Sequence, residues 1–236
     1  MLETIVDGVY GASDWLRMTP GWWFPLRMTI LKLDSGELAL HSPIRPTPEL
    51  IAAVKGLGSV AYIIAPNCFH HLFAGRWKEA FPEAALVAAA GLRAKRPDLA
   101  IDLDLTTETP EAWAGQIDCQ EIRGIPGLRE VVFLHRPSRT LIVTDLIFNI
   151  KESRGVLTPL MLMITGCRNK TAQSRLVRFS TKDRRAAGES MREVLAWDFD
   201  HIVMAHGEVI HGEGKEVLTE ACRWMLEGAA LPAPAP

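Results

Sequence analysis

Strand-like apolar runs alternate with helix-like segments along this chain, and that alternation limits the folds it can adopt. The runs 27–33 and 37–42 flank the turn-like triplet Asp-Ser-Gly and predict an antiparallel hairpin. A helix is predicted over 47–58, with Thr47 as N-cap and Pro48 in its first turn. Strand, helix and strand follow, which gives the order ββαβαβ. This order is typical of an α/β protein whose helices cover the faces of a sheet.

The second half of the chain continues the alternation of strands and helices. The segments predicted there are a pair of strands over 130–148, an amphipathic helix over 182–199, a strand over 200–207 and a last helix over 213–228. No internal repeat or linker is visible, so we expect residues 1–236 to form one domain. Its Pro/Ala-rich tail, from about residue 229, has the composition of an extended segment.

Composition narrows the class of protein. The chain has 236 residues, 48% of them hydrophobic, and a formal net charge of −2, which is typical of a globular protein with a full core. The N-terminus lacks the pattern of a secretory signal, and no apolar run approaches the ~20 residues of a membrane span, so we expect a cytoplasmic protein without a membrane partner. The four cysteines are scattered, without a CxxC pair, which favours free thiols.

Three predicted strands lead into side chains that can bind a metal. His70 and His71 follow the apolar run 60–64, Asp145 ends a second strand, and His206 ends a third. The carboxyl ends of strands in α/β sheets gather ligand sites, and imidazole with carboxylate suits zinc or iron. A single histidine at a strand end is more often structural, but three such strand ends together favour a metal site.

The motifs "APNCFHHLF", "HRPSRTLIVTD" and "HGE" carry a family resemblance. With the order of elements, they make the chain similar to the metallo-β-lactamase-fold hydrolases, and more closely to a poorly characterised branch of that superfamily. The likeness runs from about Arg27 to Trp224. It implies a four-layer αββα sandwich with metal at one edge of the two sheets.

The chain departs from the HxHxDH loop that is usual in this superfamily. The two leading histidines of the motif fall on Pro66 and Cys68, its Asp falls on His70, and its last His falls on His71. A later His of the superfamily falls near Pro126. Proline offers no side-chain ligand, so the resemblance implies that the first of two metal sites is lost.

The second metal site is expected to survive as a mononuclear one. The resemblance assigns its ligands to His70, His71, Asp145 and His206, with Asp145 matching the bridging carboxylate of the family. One zinc or iron ion there would lower the pKa of a bound water toward ~7, and Asp145 would be the catalytic residue of a hydrolase with an unknown substrate. The alternative is a loop without metal, in a catalytically silent protein that binds a partner or an anionic ligand.

Four further residues are expected to lie next to the metal ligands and to hold them in place: His41, Ser42, Asn67 and Cys68. His41 lies where the superfamily often carries an Asp, although a core role is equally open. Cys68 could be a soft ligand, but a small buried residue is the more frequent case.

Two segments bear on partners. Trp22, Trp23 and Phe24 are predicted to lie in a loop, as a core plug, a pocket wall or a subunit contact. The basic segment 168–185 could meet a phosphorylated substrate, an anionic membrane or nucleic acid, and a solvated face is the simpler interpretation. We therefore expect a small-molecule substrate and no nucleic acid, and a homodimer stays open.

Overall fold

Two β-sheets stack face to face in the computed structural model, which describes residues 2–105 and 109–228. The first sheet contains β1 Leu2–Val6, β2 Val9–Thr19, β3 Trp22–Lys32, β4 Leu38–His41, β5 Val60–Ala65, β6 Ala85–Ala88 and β7 Leu103–Asp104. These strands lie side by side in chain order. The first four pair as antiparallel neighbours and the rest continue in parallel from β4. The predicted hairpin is therefore β3 and β4.

The second sheet has the spatial order β11-β10-β9-β8. Its members are β8 Ile117–Glu121, β9 Val131–His135, β10 Thr140–Val143 and β11 His201–Met204. The strands β8, β9 and β10 pair as antiparallel neighbours, whereas β10 and β11 run parallel. The carboxyl ends of β10 and β11 consequently lie next to each other.

Helices occupy the outer layers and the loops. They are α1 Pro48–Leu57, α2 Ala74–Ala80, α3 Leu92–Lys95, α4 Thr158–Thr165, α5 Arg175–Ser180, α6 Arg184–Leu195, α7 Gly214–Ala221 and α8 Arg223–Gly228, with a 3₁₀ turn over Glu111–Trp113. The Thr47 hydroxyl accepts a hydrogen bond from the Leu50 amide at 3.2 Å, which caps α1 as the sequence predicts. Within the described part of the chain, no helix has the length and apolarity needed to cross a bilayer.

Three apolar clusters define four layers. Between the sheets, Ile64 of the first packs with Phe133 and Ile142 of the second. Outside the first sheet lie side chains of α1 and α2, such as Val54 and Trp77, and outside the second lie α6, α7 and α8. Each fully buried aliphatic or aromatic side chain contributes about 1.5–3 kcal/mol relative to exposure. The αββα sandwich implied by the resemblance is thus confirmed.

The structure corrects several expectations about local structure. Trp22, Trp23 and Phe24 are not in a loop, because they belong to β3, which pairs with the long strand β2 through ten residue pairs. This register places Phe24 opposite Leu16, and both side chains reach a cavity described below. The last predicted helix is divided at Cys222 into α7 and α8. The Pro/Ala-rich tail lies outside the described residues.

Candidate metal site

Three strand ends from the two sheets meet at one edge of the sandwich. His70 lies in the loop after β5 of the first sheet, while Asp145 and His206 directly follow β10 and β11 of the second. Parallel pairing of β10 with β11 sets the two residues side by side, and stacking of the sheets brings the β5 loop over them. Of the four predicted ligands, the structure brings His70, Asp145 and His206 together at this edge.

The three side chains point their donor atoms at each other. Nε2 of His70 lies 3.1 Å from Nε2 of His206. Each of these nitrogens is also 3.3 Å from an oxygen of Asp145, Oδ2 for His70 and Oδ1 for His206. All three side chains are largely buried. Two imidazole nitrogens and one carboxylate, which faces them with both oxygens, thus form the corners of a small, shielded triangle.

The opposite nitrogen of each imidazole is held from outside the triangle. Nδ1 of His206 lies 2.7 Å from the carbonyl oxygen of Pro25, which can only accept, so Nδ1 carries the proton. Nδ1 of His70 lies 2.6 Å from the hydroxyl of Ser42. In the neutral ring of His206, Nε2 therefore presents a lone pair to the triangle, which is how metal-binding histidines are usually oriented.

Asn67 connects the histidine loop to the carboxylate. Its Oδ1 accepts hydrogen bonds from the amides of Phe69 and His70, at 2.7 and 2.8 Å. Its Nδ2 donates to Oδ2 of Asp145 at 2.8 Å and to the hydroxyl of Thr144 at 2.9 Å. A fully buried amide therefore fixes the turn that carries His70 and orients Asp145 at the same time.

Sequence reasoning missed the buried carboxylate of Glu130. Its two oxygens accept the backbone amides of Thr144 and Asp145 at 2.7 and 2.8 Å, which holds the chain in place just after β10. The side chain is fully buried. The sequence did offer a signal, because Glu130 directly precedes the apolar run of β9. A carboxylate so close to a buried strand needs hydrogen-bond donors if it is itself buried.

The electrostatics of the site follow from burial and from the close approach of opposite charges. Burial acts to raise the pKa of Asp145, but the facing His70 and His206 outweigh it and hold that pKa well below its ordinary value. Burial acts to lower the pKa of His70, and attraction to Asp145 raises it above normal. Burial lowers the pKa of His206. Burial and then the Asp145 charge raise the pKa of Glu130 to about 7.

The donor set fits a single divalent ion. Ligand atoms that surround one zinc at ~2.0–2.2 Å lie about 3.3 Å from each other in a tetrahedron, close to the separations in this triangle. Two imidazoles and one carboxylate are a set that both catalytic zinc sites and non-haem iron(II) sites use, with further positions left open. Among the described residues, this triangle is the group of His, Cys, Asp and Glu side chains with such spacing.

His71 is not part of the triangle, in contrast to the expectation from the resemblance. Its Nδ1 accepts a hydrogen bond from the guanidinium of Arg96 at 2.9 Å. Burial, together with the charges of Arg96 and Lys95, lowers the pKa of His71. Adjacent residues of a turn point in different directions, so only one of the two histidines faces Asp145.

His41 and Cys68 are the other two residues that were expected to support the ligands. Both lie near the site, but the described hydrogen bonds and ring contacts do not join either of them to the triangle. His41 is buried against the ring of Phe133, with centroids 5.0 Å apart, and burial lowers its pKa to about 3, so the ring is neutral. The thiol of Cys68 points to the carbonyl of Ala90 at 3.9 Å, and burial raises its pKa. A thiol that stays protonated is a poor ligand and a poor nucleophile.

A large apolar cavity opens directly on the triangle. Its volume is about 840 Å³, and His70, Asp145 and His206 form part of its wall. The ring of His206 stacks on Phe148, with centroids 5.2 Å apart, and contacts Phe24 at 4.4 Å. The remaining wall is mainly aliphatic and aromatic, with contributions from β2, β3, α4 and α5. Most known small-molecule sites combine an apolar wall with a few convergent polar groups in this way.

Residues 22–188 match the family described as "Domain of unknown function (DUF4336)". The chain belongs to this family. No curated protein matches it by sequence.

Solved structures of metallo-β-lactamases share the fold over nearly the whole chain. The metallo-β-lactamase from Pontibacter korlensis is 14% identical, with a TM-score of 0.65 over 95% of this chain and 98% of that one. FIM-1 from Pseudomonas aeruginosa, in its mono-zinc form, is 13% identical, with a TM-score of 0.63 over 98% and 96%. An enzyme from Hirschia baltica is 11% identical, with a TM-score of 0.64 over 95% and 97%. This member of the DUF4336 family therefore has the metallo-β-lactamase fold.

Proposed function

We propose that the protein is a metal-dependent hydrolase that holds one divalent ion, zinc or iron, with His70, Asp145 and His206. One observation carries the proposal: both imidazoles use Nδ1 for an outside partner and direct Nε2, with the carboxylate, to one point on the wall of a cavity. Second partners of this kind orient metal ligands. A neighbour of the same fold, FIM-1, is known in a mono-zinc form, which is compatible with one ion.

Each part of the site would have a distinct role in hydrolysis. A divalent ion bound at the triangle supplies Lewis-acid polarisation of a carbonyl or phosphoryl oxygen. Asp145 supplies the negative charge, because its carboxyl stays ionised between the two histidines. Ser42 and the Pro25 carbonyl hold the rings of His70 and His206, and the apolar wall excludes water from the bond to be broken.

The cavity also indicates what kind of substrate is accepted. Its wall offers aromatic and aliphatic surface from Phe24, Phe148 and Leu162, while the polar groups concentrate at the triangle. A small molecule with a large apolar body and a hydrolysable bond at one end matches that distribution, since burial of the apolar part provides binding free energy.

A catalytically silent protein is the second candidate function. With a proton on Nε2 of His70, the triangle can satisfy itself through hydrogen bonds to Asp145 and His206. The positions that correspond to the first metal site of the superfamily carry Pro66 and Cys68, which favours this candidate as well. The cavity would then bind a ligand without breaking it.

Metal analysis of the purified protein tests the proposal. Wild type incubated with zinc, iron or manganese and then desalted should keep about one ion per chain, and His70→Gln, Asp145→Asn and His206→Gln should each lose it, since two ligands cannot complete the coordination shell. His211→Gln is the matched control, because His211 is exposed and contacts His201 rather than the triangle. His71→Gln should also keep the ion. Wild type that retains no ion would decide in favour of the silent protein.

A further inference from the structure

Among the described residues, the exposed large apolar side chains concentrate in the segment that carries α4 and α5, two helices that line part of the cavity. Among the described residues, ten large apolar side chains are exposed, and seven of them lie between positions 156 and 179. We call these seven the α4–α5 face; they are Val156, Leu157, Leu160, Met163, Ile164, Leu176 and Phe179. Phe179 is 90% exposed and Val156 85%. A patch of this kind on an otherwise mixed surface marks a site of interaction.

The α4–α5 face is held firmly on the sandwich. The amide of Leu157 donates to the carbonyl of Gly21 at 2.8 Å, in the turn between β2 and β3. The hydroxyl of Thr158 accepts a hydrogen bond from the amide of Trp23 at 3.0 Å and donates one to the carbonyl of Arg154 at 2.5 Å. These contacts join the start of α4, which carries several of the exposed apolar side chains, to the first sheet.

The charged residues of the segment that carries this face are all basic. Between positions 153 and 182 the sequence has six basic residues and no acidic one. All six are exposed: Arg154, Arg168, Lys170, Arg175, Arg178 and Lys182. Exposed large apolar side chains mixed with Lys and Arg are the composition of surfaces that lie in the headgroup region of anionic lipid.

We propose that the α4–α5 face docks the protein on an anionic lipid surface, with the cavity opening toward the lipid. Leu176 belongs both to this face and to the cavity wall, and three other exposed apolar residues, Met18, Phe69 and Leu72, also line the cavity. Docking would therefore place the mouth of the cavity against the acyl region. This proposal reverses the expectation from the sequence that the protein has no membrane partner.

The composition of the face favours lipid over two other possible occupants, a second copy of the chain and nucleic acid. A second copy of the chain, docked through the same face about a two-fold axis, would oppose six cations with six like cations. Nucleic acid would use the cations but would leave side chains such as Phe179 and Met163 without a hydrophobic environment. An anionic bilayer interface accommodates both components of the face.

Vesicle flotation tests the proposal independently of metal and of activity. We expect wild type to float with vesicles of equal amounts of phosphatidylcholine and phosphatidylglycerol, to bind vesicles of phosphatidylcholine alone more weakly, and to be released by high salt. The variant Met163→Ser/Phe179→Ser should lose binding to both kinds of vesicle. Neither residue lines the cavity, and both are exposed, so the fold and the cavity are preserved.

The charge variant and its control complete the design. Arg168→Gln/Lys170→Gln should weaken binding to the anionic vesicles by about five-fold for each charge removed. Lys55→Gln/Arg76→Gln removes two exposed cations from α1 and α2 and should bind as wild type does. Failure of wild type to float would overturn the proposal, as would equal loss in the two charge variants. A dimer in solution that Met163→Ser/Phe179→Ser dissociates would instead assign the face to a second copy.

Discussion

Ser42 combines an unusual backbone conformation with a contact to the triangle. It follows β4 with a φ of 53°, in the left-handed region that non-glycine residues rarely adopt. Its hydroxyl lies 2.6 Å from Nδ1 of His70 and also reaches the cavity wall. Backbone strain of this kind persists where the surrounding structure requires a residue in that place. Ser42 is thus a positioning residue for the His70 ring.

Ser42→Ala should weaken zinc affinity by about 10–100-fold, the usual effect of removing a partner that orients a metal ligand. Competition with a chromogenic chelator measures this affinity directly. Ser42→Gly is the control, because it removes the same hydroxyl while relieving the backbone strain, which costs an alanine about 1–2 kcal/mol. Similar loss in both variants would assign the effect to the hydroxyl. Wild-type affinity in both would refute the positioning role.

At the scale of elements, the loop after β11 sets the position of His206. Gly207 has a φ of +105°, and a Cβ added there would collide with the carbonyl group of Asn149. Arg27 of β3 donates hydrogen bonds to the carbonyls of Met204 and Gly207. The amide of Arg27 also donates to the carbonyl of Ala205 at 2.7 Å. Close packing around Gly207 therefore requires a glycine after His206, and it fixes the backbone that orients the His206 imidazole.

Gly207→Ala should lower the free energy of unfolding by about 2–5 kcal/mol, since it adds a steric collision to the cost of a positive φ. Urea denaturation of the metal-free protein measures the loss. Gly212→Ala provides the control: Gly212 also has a positive φ, +72°, but nothing lies within 4 Å of an added Cβ. Its loss should be about 1–2 kcal/mol, from conformation alone. Equal losses would mean that the loop relaxes around the added methyl group.

The sequence predicts those elements whose local signals agree with their packing. Thr47 and Pro48 mark the start of α1, and apolar runs mark β5, β10 and β11, so the site could be expected at their ends. β2 was not predicted, because Gly11 and Asp14, residue types that are depleted in strands, interrupt its apolar residues. Trp22, Trp23 and Phe24 join β3 through pairing with β2, a contact that only the folded chain supplies.

Which histidine faces the carboxylate could not be read from the sequence either. His70 and His71 are adjacent and chemically identical, and their directions depend on the turn that Asn67 stabilises. Glu130 was overlooked for a related reason, since its two backbone partners belong to a different strand end. Local composition does not encode contacts between distant segments, so the residues that surround the triangle emerge only from the three-dimensional structure.

Considered as a whole molecule, the triangle joins the two sheets. His70 belongs to a loop of the first sheet, Asp145 and His206 extend from the second, and Pro25 of β3 holds the His206 ring. An ion bound to all three ligands would therefore link both halves of the sandwich. The unfolded chain does not hold these ligands together, so metal binding should stabilise the folded state.

Thermal unfolding should reveal this linkage. Zinc at a hundred times its dissociation constant adds about 2.7 kcal/mol to the stability of the folded state. For a chain of this length, that corresponds to a rise in Tm of roughly 5–10 °C over the protein in excess chelator. Asp145→Asn should abolish the rise, because the remaining imidazoles belong to different sheets and lack the charge that compensates the cation.

His71→Gln provides the matched control for the same measurement. His71 is buried next to His70 but bonds to Arg96, so its loss should change the Tm of the metal-free protein while leaving the zinc-induced rise intact. If zinc left the Tm of wild type unchanged, the triangle would be a hydrogen-bonded contact between the sheets and not a metal site. If His71→Gln abolished the rise as completely as Asp145→Asn, the bound ion would have to lie closer to His71 than this arrangement of side chains allows.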